Sequence, residues 1–279
     1  MLGRLAVLPL IALLLALPQP SDASSASNAW SETSGPLAGP PRSIGGAAHG
    51  CLAGAQALPP DGPGYQVIRL SRRRNYAHPE TIAFVEQLGR RAQAAGLPAF
   101  YVGDLSQPRG GPLPYGHASH QNGLDVDIWF NLDPKPALPV ALREEVDLPS
   151  MVLPDLRHVD PKRFGPGQVK LLRLAASDPR VDRIFVNAAI KVALCRGLAA
   201  GDRDWLERIR PWFGHDEHFH VRLVCPPGSP DCEPQPSVPA GDGCDATLAS
   251  WLGKPLPPAS GYAHHPVLPA ACRRVLKAP

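Results

Sequence analysis

Two short stretches hold most of the residues in this chain that can do chemistry. Tyr115–Phe130 reads YGHASHQNGLDVDIWF and Trp212–Val224 reads WFGHDEHFHVRLV, and together they carry five of the ten histidines. Side chains on a strand alternate faces, so LDVDIWF places Asp125, Asp127 and Trp129 on one side and Val126, Ile128 and Phe130 on the other. The same count in HFHVRLV sets His218, His220 and Arg222 against an apolar face of Phe219, Val221 and Leu223. His120 stands seven residues before Asp127, an odd offset on a continuous strand. Asn122-Gly123 is a strong turn signal between them, and folding back there lets His120 approach the acid face.

Two imidazoles and a carboxylate from separated segments match the ligand set of a catalytic zinc, which keeps three protein ligands and a water. His120, Asp127 and His220 are the candidate ligands. A closed structural zinc draws on cysteine, and no CxxC occurs. Bound zinc lowers the pKa of water to about 7 and polarises a scissile carbonyl. His218, on the face of His220, is placed to stabilise the oxyanion or pass a proton to the leaving amine. Glu217 has an E-x-x-H spacing to His220, but parity turns it away from both imidazoles, so a solvated or supporting carboxylate is expected. Asp125 shares the face of Asp127 and is expected to support a histidine. No G-x-S-x-G elbow speaks for a serine nucleophile.

The elements that must position these residues are legible in outline. Tyr65 to Leu70 reads as a strand and Pro79 to Ala95 as a helix, with proline in its first turn and Gly96 as its stop. Ala99 to Leu105 reads as a strand. Asn131 to Pro166 is a proline-broken connection far above ordinary loop length, a candidate cleft wall or partner surface. Gln168 to Ala176 and Ala188 to Leu198 read as helices flanking a strand from Val181 to Asn187, and Asp204 to Ile209 as a short helix delivering Trp212. Strands and helices interleave without a βαβ repeat or a glycine-rich phosphate loop. The expected fold is therefore α+β, a single domain on a small, mostly antiparallel sheet with long proline-rich loops.

Composition bounds the rest. MLGRLAVLPLIALLLALPQPSDA has one basic residue, an apolar run and small residues around Asp22, the pattern of a signal peptide cleaved after Ala23. No other apolar run approaches the ~18 residues of a span, so no stable membrane insertion is expected after cleavage. Ser24 to Gly46, rich in Ser, Gly, Pro and Ala, is expected to be a poorly ordered leader, with the working domain from 47 to 279. The 35 prolines and 26 glycines agree with long loops. A net charge of +3 without an aromatic-studded basic patch argues against nucleic acid. Export makes the six cysteines three disulfides, with fifteen possible pairings. Cys225 and Cys232 flank a tight loop and form the natural local pair; a bridge between Cys51 and Cys272 would tie down both ends of the mature chain.

GHASHQNGLDVDIWF and WFGHDEHFHVRLVC resemble the two signature stretches of the penicillin-insensitive murein endopeptidases, zinc peptidases related to lysostaphin-type and D-Ala-D-Ala-type metallopeptidases. The resemblance extends to the exported start, the six-cysteine layout, RRRNYAHPETIAFV and FYVGDLSQPRGG. It implies that His120, Asp127 and His220 bind zinc, that His218 is the active-site histidine, and that His117 and His215 lie at the rim, His215 as a second catalytic candidate. It also implies bridges Cys51–Cys272, Cys195–Cys244 and Cys225–Cys232. A second zinc at a homodimer interface is associated with the family, for which Asp155 and His158 with His117 are candidates. The implied activity is hydrolysis of the D-alanyl-diaminopimelate cross-link of peptidoglycan in the periplasm, insensitive to β-lactams because no serine is acylated. A D-alanyl-D-alanine carboxypeptidase or dipeptidase on the same zinc site, and a zinc-bearing wall-binding module without turnover, are the other readings; in the E-x-x-H peptidases related to this family Glu217 would be the base.

Overall fold

The two histidine-bearing stretches become adjacent strands in the middle of a seven-stranded sheet. The structure, a computed structural model, describes residues 27–256 and 266–279. Its strands are β1 (Arg42–Gly46), β2 (His49–Ala53), β3 (Gln56–Ala57), β4 (Asp61–Gly62), β5 (Tyr65–Val67), β6 (Tyr76–Ala77), β7 (Phe100–Val102), β8 (Asp125–Trp129), β9 (Val181–Val186), β10 (Ile209–Pro211) and β11 (His218–Leu223). The helices are α1 (Pro79–Ala94), α2 (Pro166–Ala176), α3 (Ala188–Gly197) and α4 (Ala270–Lys277). The main sheet runs β10-β9-β11-β8-β7-β5-β4. Pairings β10 with β9 and β5 with β7 are parallel, and the other four are antiparallel. This is the expected α+β domain.

Parity decides what each face of the central strands does. Val126, Ile128 and Phe130 from the first motif and Phe219, Val221 and Leu223 from the second enter one large core with Phe84, Val85 and Leu88 of α1 and Leu171, Leu172 and Ala175 of α2. Burying each large apolar side chain contributes about 1.5–3 kcal/mol, so a one-residue slip of either strand would forfeit several such terms and push acids and imidazoles into the core. That penalty fixes the register. α1 starts where proline predicts, and His78 caps it by accepting the Glu80 N–H at 3.2 Å through Nδ1.

Several elements are shorter than the sequence suggests. The strand from Tyr65 stops at Val67, because Arg69 and Arg73 take left-handed conformations (φ 55° and 53°) around a 3₁₀ turn at Leu70–Arg72. The strand at Phe100 ends before Gly103, and the expected helix after Asp204 is a 3₁₀ turn to Arg208. The long connection 131–166 is irregular as expected. One buried side chain anchors it: Arg143 donates through Nε to the Leu138 carbonyl (2.7 Å) and through its terminal nitrogens to Pro60 O (2.8 Å) and Asp61 (2.5 Å).

The expected leader needs correction. The segment Met1–Ala23 lies outside the described residues, as do 24–26, but 27–46 packs onto the domain. β1 pairs along its full length with β2, and Trp30 is 7% exposed. A Cβ on Gly111 (φ 77°) would lie 2.1 Å from the Trp30 ring, so a glycine there is what admits the indole. Composition missed this because a single tryptophan and a five-residue hairpin strand supply the burial in an otherwise small and polar stretch. Trp30, Ile44, Cys51, Ala53, Cys272 and Val275 form a second small core, which α4 closes from the other end of the chain. The bridges are Cys51–Cys272, Cys195–Cys244 and Cys225–Cys232. No helix of the described residues is long and apolar enough to cross a membrane.

Candidate active site

Antiparallel pairing of β8 with β11 sets His220 opposite Asp127, His218 opposite Trp129 and Arg222 opposite Asp125. Directly opposed side chains on one face sit about 4.5–5.5 Å apart at Cβ, so three cross-strand pairs make a continuous polar strip. The loop before β8 adds His120. Its backbone is left-handed (φ 66°), its side chain is wholly buried, and its N–H donates to Asp125 Oδ2 at 3.0 Å. The Asn122-Gly123 turn that aims it is locked to α1, since the Gly123 carbonyl accepts from His78 N (3.0 Å) and Thr81 Oγ1 (2.8 Å). Gly123 has φ 77°, and a Cβ there would meet Leu52 at 2.4 Å.

Four histidines surround one carboxylate. Asp127 lies 3.5 Å from His120 Nε2, 3.6 Å from His117 Nδ1 and 3.7 Å from His218 Nε2 through Oδ2, and 3.1 Å from His220 Nδ1 through Oδ1. Burial raises its pKa, but His120, His218 and His117 overcome this and hold it well below the usual carboxylate range. The two acids on this face play different parts. Asp125 accepts from Arg222 Nε at 2.7 Å and from a terminal nitrogen at 2.8 Å, a bidentate pair that occupies both oxygens. Its Oδ2 also lies 3.2 Å from His220 Nε2. Asp125 therefore orients the far nitrogen of His220, leaving Nδ1 toward Asp127, the arrangement that steers a ligating histidine.

The residues fit a cation. Buried polar atoms normally find partners. Here His120 Nδ1 and Nε2, Asp127 Oδ1 and His218 Nδ1 have no hydrogen-bond partner, although carboxylate and imidazole atoms crowd within 4 Å. Near contacts without hydrogen bonds, on nitrogen and oxygen donors alone, suit zinc. Among the described residues two groups offer three ligand atoms within 4.8 Å of one another: His117, His120 and Asp127, and His120, Asp125 and His220. The set named from sequence, His120, Asp127 and His220, spans the two. Asp127 is the better carboxylate donor, because the Arg222 pair saturates Asp125.

Electrostatics separates the imidazoles of β11. Burial pushes His220 down, but Asp125 and Asp127 on either side outweigh it and raise its pKa to about 9. Burial dominates at His218, where a single carboxylate and three neighbouring histidines leave the pKa at about 4, so this ring is neutral at pH 7. His215 is also held well below its usual value, first by burial and then by His218 and His220. Its Nδ1 lies 2.7 Å from the Phe213 carbonyl, which only accepts, so Nδ1 carries the proton and Nε2 a lone pair.

Residues 43–277 match the sequence model of a family described as penicillin-insensitive murein endopeptidase. The chain belongs to this family. A protein named penicillin-insensitive murein endopeptidase from Haemophilus influenzae is 48% identical over 238 residues, 85% of this chain and 82% of its own length. Relatives of the same name from Salmonella newport and Salmonella typhi are each 44% identical over 258 residues, 92% of this chain and 93% of theirs.

For this member of the penicillin-insensitive murein endopeptidase family, the structure brings His117, His120, Asp127, His218 and His220 into one cluster, with the His215 ring 5.1 Å from that of His218. Asp155 and His158 are not part of it. They pair with each other on the surface, His158 Nδ1 2.6 Å from Asp155 Oδ2, in neither three-ligand group. Glu217 is exposed and makes no hydrogen bond or ion pair with either imidazole; its carbonyl accepts from Phe130 N at 3.0 Å. Sequence reasoning missed Asp104. This buried acid accepts from Arg74 (2.8 Å) and Arg72 (3.3 Å) and lies 3.4 Å from His117 Nε2, on the side opposite Asp127. Its signal was a lone acid at the end of an apolar run, separated from it by Gly103, too common a pattern to single out.

Proposed function

We propose that this protein is a zinc-dependent endopeptidase that hydrolyses the D-alanyl-diaminopimelate cross-link of peptidoglycan in the periplasm, after removal of Met1–Ala23. The observation that carries the proposal is the buried His120–Asp127–His220 cluster, with its unpartnered nitrogen and oxygen atoms, in a chain 44–48% identical to proteins named murein endopeptidases. His120, Asp127 and His220 would hold the ion. Bound zinc would supply Lewis acidity to the scissile carbonyl and water acidic enough to act at neutral pH. Asp125, held by Arg222, keeps the His220 ring from rotating. His218 stands beside this set as a neutral imidazole, able to take a proton or donate a hydrogen bond to a developing oxyanion. His117, between Asp104 and Asp127, and His215, behind His218, form the rim. A second zinc at Asp155 and His158 would need further ligands, which a second copy of the chain in a homodimer would have to bring.

Removing the metal tests the reading. After chelation, purified protein is expected to lose digestion of isolated sacculi and to regain it on adding Zn²⁺. Mass analysis of the products should show loss of cross-linked dimers without free D-alanine. Release of free D-alanine would make it a carboxypeptidase, no products a binding module, and full activity in protein shown to be free of zinc would remove the metal from the reaction.

A further inference from the structure

Four arginines, Arg69, Arg72, Arg73 and Arg74, flank the tight turn after β5, and three are accounted for. Arg72 and Arg74 share Asp104, and Arg73 donates to the Ser34 carbonyl at 2.7 Å. Arg69 is half-buried, and its guanidinium makes no hydrogen bond or ion pair among the described residues. The nearby acids are engaged elsewhere or stand off. Glu144 accepts from Ser71 N (3.0 Å) and Ser71 Oγ (2.5 Å), Asp104 holds Arg72 and Arg74, and Glu217 forms no ion pair. A guanidinium offers five donors in a planar fork that matches a carboxylate.

Its position is specific. The Arg69 guanidinium carbon lies 5.0 Å from the centre of the Trp129 ring, and that ring is 4.9 Å from His218. Trp129 follows Asp127 by two residues on β8 and shares its face, which places it about 7 Å along the strand from the candidate metal ligand. The Arg69 backbone is pinned there: its N–H donates to the Arg143 carbonyl at 3.1 Å, and its φ of 55° is one few non-glycine residues adopt. Non-glycine residues in this region often mark functional positions.

We infer that Arg69 is a specificity-determining residue that binds the free carboxylate on the leaving-group side of the scissile bond. This rests on the endopeptidase reading above. In a D-alanyl-diaminopimelate cross-link, the carbon bearing the leaving nitrogen also bears a carboxylate, two bonds from the bond to be cut. A guanidinium stacked on Trp129 meets that group bidentately while the carbonyl faces Asp127 and His220. A peptide ending in D-alanyl-D-alanine carries a carboxylate at the same place, so the chemistry is shared and the test separates the two sources.

The experiment compares wild type, Arg69→Gln and Arg69→Lys in kcat/KM on two substrate pairs: a cross-linked muropeptide dimer with that carboxylate free or amidated, and a D-alanyl-D-alanine peptide with its terminus free or amidated. Affinity for an uncleavable ketomethylene analogue of each dimer is measured in parallel. Wild type is expected to favour the free dimer by about 10- to 100-fold, the range of a hydrogen bond to a charged group. Arg69→Gln should erase that preference and Arg69→Lys keep part of it, in turnover and in analogue affinity. Equal losses on free and amidated dimers would reduce Arg69 to a packing partner of Trp129 and overturn the inference, as would a wild type indifferent to amidation. A shift confined to the D-alanyl-D-alanine peptide would overturn the cross-link assignment. If wild type cuts no dimer, the endopeptidase reading fails, and the analogue affinities alone decide whether Arg69 reads the carboxylate.

Discussion

At the scale of single residues, β11 presents two imidazoles of opposite electrostatic character on one face. His220 sits between two carboxylates and His218 beside one, so the first suits a cation and the second suits proton transfer. Replacing His218 with alanine leaves all three proposed ligands in place. Zinc content is therefore expected to stay near that of wild type while kcat falls about a hundredfold or more, the usual contribution of a positioned acid, base or oxyanion donor. Glu217→Ala should be mild, because that side chain is exposed and touches neither imidazole. Turnover of a defined cross-linked muropeptide, with metal content determined on the same samples, checks both. A Glu217→Ala protein that is fully loaded but inactive, beside an active His218→Ala protein, would assign the base to the glutamate.

At the scale of elements, α3 carries a charge that the fold tolerates poorly. Lys191 is wholly buried; its ammonium nitrogen donates to the Leu206 carbonyl at 2.7 Å and to the Asp242 carbonyl, joining α3 to the loop held by Cys195–Cys244. Burial lowers its pKa to about 7, with Arg210 adding to the effect and Asp242 and Asp245 opposing it. An unfolded lysine titrates near 10.4, so between about pH 7 and 10 the unfolded chain binds the extra proton and stability rises with pH. Below pH 7 both states are protonated and the contribution is flat. Chemical denaturation of wild type and Lys191→Met at pH 6, 8 and 9.5 should show the wild type gaining stability relative to the variant as pH rises. A difference that stays constant with pH would mean Lys191 remains charged in the fold.

At the scale of the whole molecule, the β1–β2 hairpin is tied to helix α4. Cys51 of β2 and Cys272 of α4 are 221 residues apart and lie in a small core with Trp30 and Ile44. Arg109 reinforces this join by donating to the carbonyls of Gly35 (3.0 Å), Val275 (3.0 Å) and Pro279 (3.2 Å). Closing so long a loop restricts the unfolded chain, and losing it is expected to cost about 2–5 kcal/mol. The double variant Cys51→Ser, Cys272→Ser should show that loss in urea unfolding, with the Cys225–Cys232 bridge still found by mass mapping without reduction. A change under about 0.5 kcal/mol would place the stability of the join in Arg109 and the apolar contacts instead.

What the sequence determined alone is whatever depends on local alternation and on strong local signals. Asp127 and His220 could be placed on one polar face, with Val126 and Val221 on the core side, because strand periodicity is a property of the backbone and a slip would bury charge. The Asn122-Gly123 turn announced the approach of His120 for the same kind of reason, and Pro79 marked the start of α1. Which partners meet across that face was decided by tertiary structure. The contact of Arg222 with Asp125 spans 97 residues, and only the β8–β11 register makes Asp125 a support for His220 and leaves Asp127 to a cation. The same holds for Asp104 behind His117, for Trp30 turning an unpromising leader into part of the domain, and for the separation of Asp155 and His158 from the cluster. It holds most clearly for Arg69, one of four arginines within six residues of sequence, whose guanidinium beside Trp129 is left without a carboxylate only once the neighbouring acids have been placed in three dimensions.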